Sequence, residues 1–181
     1  MIYTRGAGES ILRRWPGAKT KAQPSDGFYS FISYSSRDDE FAGIEPFVEE
    51  YVRVLKSRIS YIPVFLDRIQ LTKNHPNLRQ SLAEAIESSD FVTTFVSPRY
   101  MDSEWCQLEL ELSYKFSRPI LAIVWKHYSY ASDRDSSWLS RHCSERIDIA
   151  RSLYLGKRDE AIFTAVDGTL RFLDRRYGNS N

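Results

Sequence analysis

A chain of 181 residues with 42% hydrophobic and 14% aromatic content can bury one sizeable core, which excludes a disordered polymer. Its 25 Lys and Arg offset 24 Asp and Glu, so no broad electrostatic attraction to nucleic acid or to an anionic membrane is expected. Cys106 and Cys143 are too few for a disulfide framework, and His75, His127 and His142 lack metal-ligand spacing. The apolar runs are too short for a membrane span or a signal peptide, and the expectation is a cytoplasmic protein.

Residues 1–26 carry Arg5, Arg13, Arg14, Lys19 and Lys21 among Gly and Pro, which predicts an N-terminal arm with at most a short helix around Ile11 to Trp15. The domain is expected over 27–178. Its first strand is Phe28 to Tyr34, followed by the polar loop Ser35-Ser36-Arg37-Asp38-Asp39. The spacing Phe41, Ile44, Phe47, Tyr51, Val54 predicts a helix to about Arg58, with Gly43 and Pro46 disturbing its first turns. A second strand, Tyr61 to Leu66, leads through the loop Asp67 to Asn77 into a helix marked by Leu78, Leu82 and Ile86.

Phe91 to Val96 is the third predicted strand and Ser103 to Ser117 the next helix. Ile120 to Trp125, almost wholly apolar, has the composition of a strand at the centre of a parallel sheet. The polar, aromatic stretch His127 to Glu145 predicts a long connection with a short helix near Trp138. A fifth strand is expected within Ile147 to Leu155, and Ile162, Val166, Leu170 and Leu173 set a last helix over Asp159 to Arg176, in which Gly168 is out of place. Strands alternating with helices predict a parallel α/β sheet.

The helix over 103–117 holds the anomaly of the chain. At about 100° per residue, Leu108, Leu112, Trp105, Phe116, Cys106 and Leu110 span one apolar arc, and the carboxylate of Glu109 falls inside it. An inward carboxylate loses hydration that costs several kcal/mol unless something polar meets it. Two readings follow from the pattern: a structural ion pair with a cation such as Arg68, or a site. Trp105 is likewise either core or a platform for a ligand, and Cys106 reads as a small buried hydrophobe.

Ligands of open α/β sheets bind beyond the carboxyl ends of the strands. Those ends release loops at Tyr34, Asp67 and Ser97, and the helix carrying Trp105 and Glu109 starts from the third. Dinucleotide-fingerprint, P-loop and nucleophile-elbow patterns are missing from the sequence.

Three segments together resemble the Toll/interleukin-1 receptor (TIR) domain family, particularly its bacterial members. Phe28-Tyr29-Ser30-Phe31-Ile32-Ser33-Tyr34 is similar to the family's first box, Val64-Phe65-Leu66-Asp67-Arg68 to its second strand and the start of the BB loop, and Ser103-Glu104-Trp105-Cys106-Gln107-Leu108-Glu109-Leu110 to the Trp-Cys-x-x-Glu-Leu helix of NAD-consuming members. The likeness is good over about 27–125. The chain departs from the family at the BB loop, where Leu71-Thr72-Lys73-Asn74-His75-Pro76-Asn77 replaces the usual Pro-Gly pair, and the late Phe-Trp box is not evident.

The resemblance implies a flavodoxin-like five-stranded parallel sheet flanked by helices. It implies an enzyme that cleaves the nicotinamide–ribose bond of NAD+ as substrate, with no cofactor, giving nicotinamide and ADP-ribose or a cyclised derivative. Glu109 is then the catalytic residue, and Tyr34, Ser35, Arg37, Asp67, Arg68 and Trp105 are substrate-binding candidates. It further implies homo-oligomers through TIR–TIR contacts and a role like the signal-producing protein of Thoeris-type anti-phage defence, whose product acts on a separate effector protein. The rival reading is a non-catalytic TIR scaffold.

Overall fold

The computed structural model describes residues 27–38, 43–64, 77–125 and 141–178. The arm, the loop from Asp67 and the connection around Trp138 lie outside these residues.

Five strands, β1 (Phe28–Tyr34), β2 (Tyr61–Val64), β3 (Phe91–Val96), β4 (Ile120–Val124) and β5 (Glu145–Asp148), form one sheet in the order β2-β1-β3-β4-β5. Every pairing is parallel, with Phe31 opposite Val64, Ser33 opposite Thr94, and Phe95 opposite Ile123. β3 and β4 are buried along their whole length, as their unbroken apolar or Thr-containing runs require when helices cover both faces. This is the expected flavodoxin-like order, with its switch of direction between β1 and β3.

Side-chain parity along β1 assigns the two layers. Ile32 and Tyr34 point into a large cluster with Phe47, Tyr51 and Leu55 of α1 (Ile44–Lys56) and Ala165, Val166 and Phe172 of the helix that closes the domain. Phe31 points the other way, against Leu82, Ala85 and Ile86 of α2 (Leu78–Ser88), with Leu108, Leu112 and Phe116 packed at its margin. α1 begins only after Gly43, whose φ of 57° turns the chain. Pro46 then falls in the first turn, where its missing N–H has no intrahelical acceptor to lose.

After β3 come a short helix α3 (Pro98–Met101) and α4 (Glu104–Lys115), with Ser103 as N-cap accepting from the backbone N of Cys106 at 3.4 Å. The fifth strand is shorter and earlier than the expected Ile147 to Leu155. Asp148 ends it by accepting from the N–H of Ala150 at 3.1 Å, and the rest becomes α5 (Ala150–Tyr154). α6 (Arg158–Tyr177) then packs back on the sheet. Gly168 is in place after all, because a Cβ there would lie 2.4 Å from Cδ1 of Ile147; the helix approaches β5 too closely for a side chain. No described helix is long and apolar enough to cross a membrane.

Candidate active site

The inward stripe of α4 is Cys106, Glu109, Leu110 and Ser113, the i, i+3, i+4, i+7 face of a helix. Glu109 occupies its centre and is only 8% exposed. Trp105 departs from the apolar arc expected for it: 45% of its surface is open, one turn before the carboxylate. A large ring therefore stands at the surface beside a buried anion.

Ser33, on the α4 side of β1, donates its hydroxyl proton to Oε2 of Glu109. The same Oγ lies 2.8 Å from the hydroxyl of Tyr100 on α3. A serine hydroxyl has one proton, so Tyr100 must be the donor in that second bond. The result is a one-way relay, Tyr100 to Ser33 to Glu109, with every dipole aimed at the carboxylate. Burial, first, and the neighbouring Cys106 and Glu109, second, push the Tyr100 phenol well above its usual value, so it stays a proton donor. Thr94 is Ser33's register partner on β3, and its buried Oγ1 has no hydrogen-bond partner among the described residues. The helix backbone here is locked in turn, since Ser113 Oγ donates to the carbonyl of Glu109 at 2.6 Å.

The loops leaving β1 and β3 are laced together at the switch point. Ser97 donates to Oδ2 of Asp38, which is 1% exposed, and accepts from the N–H of Tyr100 at 3.0 Å. Arg99 reaches the carbonyl of Arg37 at 3.0 Å, and Asp38 N donates to the carbonyl of Ser35 at 3.0 Å. Tyr100 is thus anchored at its backbone by the same serine that holds Asp38. That anchoring fixes where its hydroxyl meets Ser33.

The sequence-predicted residues are distributed unevenly over this frame. Trp105 lies in the first turn of α4 and Glu109 one turn later, at its middle. Ser35 is buried at 3% exposure at the carboxyl end of β1, and Arg37 is exposed on the same loop. Tyr34, 7% exposed, sits in the α1/α6 cluster across the sheet from Glu109. Asp67 and Arg68 lie outside the described residues. Sequence reasoning missed Ser33, Tyr100, Asp38 and Ser97. Strand parity was the available signal for Ser33, because it must face the layer opposite to Tyr34. Among the described residues no cluster of His, Cys, Asp and Glu could hold a metal ion.

The chain is similar to several solved structures. The CMP N-glycosidase of Clostridium botulinum is 12% identical over 66% of this chain and 87% of its own, with a TM-score of 0.47. The TIR domain of the Toll-related receptor TRR-2 from Hydra magnipapillata is 18% identical over 71% and 97%, TM-score 0.41, and the TIR domains of the activated Roq1 resistosome are 16% identical over 77% and 84%, TM-score 0.41. No curated protein matches the chain. The family model for the TIR domain matches residues 31–159, which spans β1 to the start of α6 and takes in the whole site, and the chain belongs to the TIR domain family.

Proposed function

We propose that this protein is an NAD+ glycohydrolase or cyclase that cleaves the nicotinamide–ribose bond, with Glu109 as the catalytic residue. The observation that carries the reading is a nearly buried carboxylate on the inner face of α4, held by a hydroxyl relay from Ser33 and Tyr100 beside the open ring of Trp105. Nicotinamide is cationic in NAD+ and leaves neutral, so its departure needs no general acid, unlike an ordinary glycoside. What the reaction needs is a negative charge facing the ribose as it becomes oxocarbenium-like. A carboxylate pre-oriented in a water-poor setting supplies that without reorganisation.

Glu109 accepts from the ribose hydroxyls in this scheme, and Trp105 stacks on a ring of the substrate. Ser35, Arg37, Asp67 and Arg68 are assigned to ribose and phosphate contacts at the rim. Tyr34 supports that rim from the layer behind, where its ring is packed. Hydrolysis by water gives ADP-ribose; capture by a nucleophile of the same molecule gives a cyclic product. We place the enzyme in the cytoplasm, in Thoeris-type anti-phage defence, as the source of a diffusible nucleotide read by a separate effector protein, and we propose that TIR–TIR contacts assemble it on activation.

The second reading is a non-catalytic scaffold. It is favoured by the apolar surface of α5 and α6, where Tyr154, Leu155 and Phe163 are 87%, 55% and 58% exposed. Incubation with NAD+ at protein concentrations that favour assembly, followed by chromatography of nicotinamide and mass analysis of the nucleotide, separates the two. Turnover should fall by about 10²- to 10³-fold or more in Glu109→Gln. No turnover from any assembled form would leave the scaffold, and turnover unchanged by that substitution would overturn the role given to Glu109.

A further inference from the structure

The end of the sheet opposite the Glu109 site has a groove of about 520 Å³ where β4 begins. Its walls include Tyr114 and Lys115 from the last turn of α4, Arg118 from the turn into β4, His142 and Ser144 ahead of β5, and Arg176 from the last turn of α6. Among the described residues three cations line it and no carboxylate does. We propose that this groove binds a nucleotide-like ligand, with its phosphates on Arg118, Lys115 and Arg176 and its base against Tyr114.

The backbone delivers Arg118 to the groove by a specific turn. α4 ends in a Schellman motif, in which Arg118 N donates to the carbonyl of Ser113 at 2.8 Å and Ser117 N to that of Tyr114 at 3.0 Å. Ser117 takes the left-handed position at φ 55°, where glycine is usual. Among the described residues the buried Nε of the guanidinium has no hydrogen-bond partner. A buried cationic N–H without an acceptor costs on the order of 1–3 kcal/mol, which an anion would recover. Tyr114 is 66% exposed and meets the His142 ring edge-on, centroids 5.1 Å apart, so the groove has aromatic surface next to its charge.

The same cations have a structural use, because α4 and α6 both end here and helix C-termini attract positive charge. Each end contributes roughly half a negative elementary charge, and two of them cannot balance three whole cations. Among the described residues carboxylates lie nearby, but none lines the groove. Glu145 pairs with Arg175 at 2.7 Å, and Asp90, whose charge reaches Tyr177 together with those of Arg118 and Arg176, accepts from the N–H of Tyr29 at 2.8 Å. In a protein whose formal net charge is only +1, this is a local positive surplus.

Isothermal titration calorimetry on the whole chain with ADP, pyrophosphate and adenosine tests the assignment. ADP should bind saturably and lose affinity with added salt, pyrophosphate should bind more weakly, and adenosine should give no isotherm. Arg118→Gln should weaken ADP about tenfold or more, and Lys115→Gln, at an exposed position that leaves folding intact, about threefold, whereas Arg53→Gln, at an exposed cation on α1 outside the groove, should leave ADP binding unchanged. No ADP isotherm at millimolar concentration, affinity indifferent to both Arg118→Gln and Lys115→Gln, or affinity lost equally in Arg53→Gln would overturn the proposal. Pyrophosphate binding as tightly as ADP would overturn the role given to Tyr114.

Discussion

Ser33 acts directly on Glu109, since its hydroxyl donates to the buried carboxylate. Ser33→Ala removes that donor and leaves Oε2 short of a bond in a site 8% exposed, a change expected to cost about 1–3 kcal/mol. Tyr100→Phe removes only the outer link and should cost about 1 kcal/mol. Because both act through one chain of bonds, the double variant should lose less than the two separate losses added together, which urea denaturation of the four proteins would read as a coupling energy. A strictly additive result would mean that the two hydroxyls act independently. Trp105→Ala is the complementary change: with nearly half of its surface open, it should scarcely move stability while raising KM for NAD+ about tenfold under the proposed function. The inward turn of Glu109 was legible from helical spacing alone. Tyr100 was not, because its contribution depends on a short helix and on Ser97 holding its backbone, neither of which has a periodic signature.

Helix ends and helix–strand contacts carry the next level of specification, and two positions test it in opposite directions. Gly168→Ala places a methyl 2.4 Å from Cδ1 of Ile147, and the overpacking, about 1–3 kcal/mol, should outweigh the roughly 1 kcal/mol that alanine gains in helix propensity. Ile147→Val deletes that Cδ1, so the pair of substitutions should be more stable than the two single effects predict; thermal unfolding of the cycle measures it. Ser117→Gly should instead stabilise by about 1 kcal/mol, because the Schellman turn holds an L residue at φ 55°. A lower melting temperature in that variant would show that the serine side chain contributes more than its backbone strain costs. β1, β3 and the inward position of Cys106, Glu109 and Leu110 on α4 were readable in the sequence since alternation and 3.6-residue spacing are local properties, whereas Trp105 was expected in that arc and is exposed. The end of β5 was not, because Asp148 and Ala150 divert the chain with one side-chain bond inside a run that otherwise reads as extended.

Across the whole molecule, strands alternating with helices pointed to a parallel sheet and the resemblance to the TIR family implied its five-stranded form, and what the sequence left hidden is how much hydroxyl and thiol chemistry the packing encloses. Burial pushes the Tyr51 phenol up to about 12, opposed by its hydrogen bond to Thr169, and drives the phenols of Tyr61 and Tyr100 well above 10.0. The Cys143 thiol is pushed up to about 12 by burial, against the pull of Arg146. In the unfolded chain these groups release their protons near 9.0 for the thiol and 10.0 for the phenols. Above those values the unfolded state holds fewer protons than the native state, so stability must fall as pH rises, and the contribution is intact below about pH 9. Each fully shifted group adds a slope of about 1.4 kcal/mol per pH unit, and four titrating together approach roughly 5 kcal/mol per unit between pH 10 and 12. The domain should therefore keep a nearly constant urea midpoint from pH 7 to 9 and then lose it steeply, with tyrosinate absorbance at 295 nm appearing in step with unfolding. Tyrosinate absorbance from all three buried phenols near pH 10 in a chain that stays folded would show that the interior on both faces of the sheet admits water.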